Sequence, residues 1–171
     1  MNKLSREPMK KDIVFTLLTR RLWLMPILYH IHSYGEIGYD ELKQLLCLRT
    51  QVLKRALWWL VKYGVVERRG NRFRVVQDYR VVLSELFLNK CIYRNYYIFR
   101  YGETYFVSII RRTRITAYTV PAKLLADIDR MKADVDTEFK PTDLLSLKGI
   151  PLKLAYRVVK IHRILRECTS K

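Results

Sequence analysis

Cysteine is scarce in this chain. The three residues Cys47, Cys91 and Cys168 lie far apart, form no CxxC pair and are odd in number. That pattern leads us to expect no disulfide framework and a reducing, cytoplasmic setting. Long apolar runs are also missing: the stretch from Ile13 to Ile31 is broken by Arg20 and Arg21. It is too interrupted to span a bilayer, and no small-residue cleavage pattern follows an apolar core at the N-terminus. Neither a membrane partner nor secretion is expected. Catalytic signatures are lacking as well, since no P-loop, GxSxG, HExxH or dinucleotide glycine pattern occurs. His30 and His32 fall on different helix faces, His162 stands alone, and Asp127 and Asp129 diverge in the same way. A nuclease or integrase using scattered carboxylates such as Glu36, Glu103 and Asp143 is the one enzymatic alternative, and these residues make no recognisable set. We expect no enzyme, no metal and no small-molecule cofactor.

Negative charge is the other shortage. The 171 residues hold 33 Lys and Arg against 16 Asp and Glu, for a net +17. The excess is divided almost evenly on either side of Val76. Both halves should therefore present a basic surface, which attracts polyanions and speeds encounter with nucleic acid. With half of its residues hydrophobic, the chain can also build a core.

Residues 1–11 are polar and basic and read as a flexible arm. Helical patterning runs from about Asp12 to Tyr34, with Pro26 starting or kinking a helix and Gly35 ending it. Further helices fit Tyr39–Leu46 and Thr50–Tyr63, the latter closed by Gly64. Two short β-prone runs, Val65–Arg68 and Arg72–Val76, surround the turn residues Arg69-Gly70-Asn71. A linking helix fits Asp78–Leu88. Residues Cys91–Tyr101 and Thr104–Val120 then read as one long hairpin about Gly102-Glu103. Helices return over about Ala122–Val135, Asp143–Leu147 and Pro151–Glu167. A boundary near residue 77 would separate a first domain (12–77) from a hairpin-plus-helices domain (78–171), without a Gly/Ser/Pro linker to mark it.

The run from Tyr39 to Leu60, with Leu42, Leu45 and Leu46 facing Leu53, Leu57 and Leu60 and with Leu48 plugging the turn, resembles the winged helix-turn-helix regulators. Tyr63-Gly64-Val65-Val66-Glu67-Arg68 continues the similarity, which covers about residues 20–76. It departs at Cys47, where that family often has glycine, and at the bulky Trp58-Trp59 pair. The resemblance implies three helices and a β-hairpin wing; together with the β-hairpin and C-terminal helices read from the pattern of the second half, the chain is expected to be α+β. The resemblance also implies a recognition helix, since an α-helix fits the major groove of duplex DNA. Its outward residues would be Arg49, Thr50, Gln51, Lys54 and Arg55. Gln and Arg suit bidentate contacts to adenine and guanine edges. The wing would supply Arg68, Arg69, Asn71, Arg72 and Arg74 to the backbone, while Phe73 and Val75 pack inward.

The segment Thr142–Ile161 faintly resembles a second helix-turn-helix, with Gly149 in its turn. Lys148, Lys153, Arg157 and Lys160 would be a second nucleic-acid surface, against the plainer reading of an amphipathic helix with a solvated basic face. Tyr93, Tyr96, Tyr97, Phe99, Tyr101, Tyr105 and Phe106 alternate with arginines along the hairpin. Such a surface can stack unpaired bases, or simply have one packed face. The expected function is sequence-specific binding of double-stranded DNA for transcriptional control, as a nucleoid-associated homodimer. A sequence-indifferent packaging or architectural nucleoprotein is the alternative, and RNA or single-strand binding the third.

Overall fold

A computed structural model describes residues 6–134 and 140–169. Helix α1 (Arg6–Arg20) runs into a 3-10 turn over Leu22–Leu24, and α2 (Met25–Tyr34) begins with Pro26 in its first turn. Proline fits there because the first N–H groups of a helix have no partner to lose. Strand β1 (Glu36–Gly38), α3 (Tyr39–Leu46) and α4 (Thr50–Lys62) follow, then β2 (Val66–Arg69) and β3 (Arg72–Val75). Strand β3 lies between β1 and β2, with both pairings antiparallel. After α5 (Gln77–Leu88) come β4 (Lys90–Tyr93), β5 (Tyr96–Tyr101), β6 (Thr104–Arg111) and β7 (Arg114–Pro121). These form a four-stranded antiparallel meander in chain order. Helices α6 (Ala122–Asp134), α7 (Pro141–Lys148) and α8 (Leu152–Thr169) complete the chain.

This corrects the fold expected from the sequence. The chain is α+β, but it holds two antiparallel sheets of three and four strands, and the larger sheet occupies the place given to a single hairpin. Reversals at Arg94-Asn95 and Arg112-Thr113 divide the runs that read as two long strands. Neither carries glycine or proline; Arg94 itself takes the left-handed conformation, with φ 54°. Strand β1 was absent from the expectation too, because three residues are too few to show an alternation. Finally, residues 6–11, read as part of an arm, belong to α1; residues 1–5 lie outside the described ones.

The larger sheet is covered on both faces. Tyr97, Phe99, Phe106 and Ile110 join a core with Leu17, Ile27, Leu53 and Leu83. On the opposite face Ile98, Val107, Ile109 and Val120 pack with Ile128, Ala155, Val158 and Ile161. Period-2 alternation sends neighbouring residues to different cores. The first core therefore continues across residue 77. Two polar contacts pin the layers together: the buried Ser108 hydroxyl donates to the Leu22 carbonyl at 2.9 Å, and His30 Nε2 meets the Tyr97 hydroxyl at 2.7 Å.

The same layering corrects the reading of the aromatics as a stacking surface. Tyr97, Phe99 and Phe106 are buried, and Tyr93, Tyr96 and Tyr105 are partly buried; of the seven, only Tyr101 is exposed. A second correction concerns the cysteines. Cys91 and Cys168 form a disulfide, with Cα atoms 5.9 Å apart across 77 residues of chain. That separation conceals the pair in the sequence; the packing of α8 beside β4 creates it.

Candidate nucleic-acid interface

Helix α4 is held from below and open above. Leu53, Ala56, Leu57 and Leu60 are buried at helical spacing, which fixes the rotation of the helix about its axis. Gln51, Lys54, Arg55, Trp58, Val61 and Lys62 are consequently exposed, and Thr50 is half-buried. Buried Leu48 fills the turn before the helix. Cys47 makes that turn in the left-handed region, with φ 50°. Arg49 precedes α4 in an extended conformation, and its carbonyl accepts from the amides of Val52 and Leu53 at 3.0 and 3.2 Å.

The two tryptophans divide. Trp59 is half-buried beneath the Arg21 guanidinium, 4.2 Å from the ring centre, whereas Trp58 is 55% exposed with the Lys62 amine 4.6 Å from its ring centre.

The β2–β3 hairpin stands beside the C-terminal half of α4. Between them lies an open groove of about 650 Å³, walled by Lys54, Trp58 and Val61 on one side and by Arg68, Asn71 and Phe73 on the other. Tyr39 also lines it, and its hydroxyl is buried with no hydrogen-bond partner among the described residues. The hairpin is fastened where Asn71 accepts from the Tyr39 amide at 3.0 Å through its carbonyl.

Its cations are not equally available. Arg74 is bonded to Glu67, which also faces Arg69 at 3.7 Å. Arg72 lies 3.1 Å from Glu36 and 3.8 Å from Glu41. Arg68 Nε donates to the Gly70 carbonyl at 2.7 Å and leaves the rest of its guanidinium exposed. Arg72 and Arg74 thus serve first to brace the sheet; Arg68 and Arg69 are exposed at its β2–β3 turn.

The basic residues read as a second surface sit elsewhere. Lys153 and Lys160 are exposed on α8, and the half-buried Arg157 guanidinium covers Tyr118 at 4.4 Å. Burial, reinforced by Tyr96 and opposed by Arg157, raises the Tyr118 phenol to about 12. The side chain of Lys148 lies outside those described. Helix α8 packs in the second core, so the four-stranded sheet stands between this face and α4. The two basic faces are separate.

The chain matches no family model, no curated protein and no solved structure. Among the described residues, no three His, Cys, Asp or Glu side chains gather as a metal site, and no helix is long and apolar enough to cross a membrane. His162 is bonded to Asp129 at 2.7 Å, Glu36 is engaged by Arg72, and Asp143 accepts from the Lys140 amide at 2.8 Å.

One juxtaposition was not visible in the sequence. The Arg49 amide donates to the Arg112 carbonyl at 2.9 Å, which joins the start of α4 to the tip of β6–β7. In the sequence Arg111, Arg112 and Arg114 stand out only as basic members of the aromatic-basic alternation along the hairpin. Their nearness to α4 follows from sheet topology, for which a sequence of this kind carries no local signal.

Proposed function

We propose that the protein binds double-stranded DNA in a sequence-specific manner, as a transcriptional regulator, with α4 entering the major groove. The observation that carries this reading is the division of α4 into a buried face and an exposed one bearing Gln51, Lys54 and Arg55. A helix fixed by packing can hold such side chains in register with base edges. The resemblance of residues 20–76 to winged helix-turn-helix regulators supports the same assignment, in which β2–β3 is the wing. Arg68 and Arg69 then take backbone phosphates, while Arg72 and Arg74 act mainly by bracing the hairpin. The net charge of +17 supplies the long-range attraction. Two copies related by a two-fold axis would present their α4 helices to successive major grooves about 34 Å apart.

Selection from a randomised duplex pool at about 150 mM salt tests this, because non-specific electrostatic binding is already weakened there. An enriched motif, with an inverted repeat for a homodimer, is expected. Gln51→Ala or Arg55→Ala should lose discrimination among sites, and Arg69→Ala should weaken all sites alike. Retention of DNA without enrichment would point instead to a packaging or architectural protein, the reading favoured by charge spread over both halves. Unchanged site preference in both the Gln51→Ala and Arg55→Ala proteins would refute the role of α4.

A further inference from the structure

Four arginines from separate parts of the sheet converge at one of its ends. In a meander the β4–β5 and β6–β7 turns lie at the same end, and here they carry Arg94 and Arg112, with Arg111 and Arg114 flanking the second. The turns are fastened together: the Ile110 amide donates to the Asn95 carbonyl at 2.9 Å, and Asn95 Nδ2 donates to the Ile110 carbonyl at 3.0 Å. All four arginines are exposed, and among the described residues none of them forms an ion pair. Most wing arginines, by contrast, face Glu67 or Glu36. The position of the cluster is set by the bond from the Arg49 amide to the Arg112 carbonyl, which holds the tip against the residue that opens α4. The cleft beside it is lined by Lys43 and Gln44 of α3, with Asp40 as its one acidic residue.

Two hairpin ends therefore bracket α4. The wing lies along Lys54–Val61, and the arginine turns stand at the N-terminal end. At about 1.5 Å per residue the helix is roughly 20 Å long, comparable with a major groove about 12 Å wide and its two phosphate ridges. We infer that Arg94, Arg111, Arg112 and Arg114 form a second clamp for duplex DNA, gripping backbone phosphates on the side of α4 remote from the wing. The inference rests on the proposed placement of α4 against DNA. Unpaired guanidinium groups are strong bidentate ligands for phosphate, and contacts of this kind fix the register of a protein on the duplex without reading bases.

The test compares wild type with an Arg111→Ala, Arg112→Ala, Arg114→Ala protein on the selected duplex between 50 and 200 mM salt. A circular dichroism melt first checks folding, which these exposed side chains should leave intact. Each phosphate contact contributes about 0.9 to the slope of log affinity against log salt, so the slope should become shallower by roughly 2 to 3. Hydroxyl-radical protection should disappear from one flank of the footprint only, with the preferred motif unchanged. The corresponding triple lysine protein should keep most of the slope. If the alanine protein shows the wild-type slope and full protection, the clamp is refuted while the role of α4 stands. If the wild-type protein fails to bind duplex, both fall.

Discussion

The disulfide between Cys91 and Cys168 should dominate the stability of this protein. It closes a loop of 77 residues and ties α8 to the edge strand β4. In the chain-entropy treatment a cross-link over that length stabilises by about 4.5 kcal/mol, through restriction of the unfolded chain. Buried Ala155, Val158, Ile161 and Ile164 keep α8 seated after reduction, so the loss acts chiefly through the unfolded state. For a chain of this size each kcal/mol shifts the melting temperature by about 2–4 °C, so reduction should lower it by roughly 10–15 °C. The assay is a circular dichroism melt of the oxidised protein with and without a phosphine reductant, beside Cys168→Ser. That variant should melt like the reduced wild type and respond no further to reductant. Thiol titration of the denatured, oxidised protein should find Cys47 alone. Three titratable thiols, or melts that coincide within about 2 °C, would refute the reasoning. Duplex binding should survive reduction, because α4 is anchored in the other core.

Burial lowers the His30 imidazole to about 4, and burial likewise lowers His32. In the unfolded chain these groups take up protons near pH 6.5, whereas the folded chain excludes them until lower pH. Stability is therefore full above about pH 6.5 and falls as pH drops toward 4. Urea midpoints across that window should slope less for His30→Gln than for wild type; superimposed slopes would remove His30 from the account. At the turn before α4, Cys47→Gly should stabilise by about 0.5–1 kcal/mol, because glycine adopts positive φ without a Cβ penalty and loses only part of that gain to its freer unfolded state. A lower melting temperature for Cys47→Gly would show that the thiol contributes more than the backbone relief.

Local signals carried the N-terminal elements. Leu53, Leu57 and Leu60 at helical spacing placed α4, Gly64 marked its end, and Gly70-Asn71 marked the β2–β3 turn, since each depends on chemistry within a few residues. The outward set Gln51, Lys54 and Arg55 followed from the same periodicity. The meander was not legible because its turns at Arg94-Asn95 and Arg112-Thr113 carry no glycine or proline and are held by sheet pairing. Burial on both faces also removed the contrast between polar and apolar positions. Sequence by itself therefore determined the net charge, the register of α4 and the β2–β3 turn. Tertiary structure decided which cations are spent on Glu36 and Glu67, which cysteines meet, and that Arg112 stands beside Arg49. Apart from the Glu67 pairs, which close within the β2–β3 hairpin, those relations join residues 36 to 77 positions apart, and such distances close only through strand pairing and the packing of the two cores.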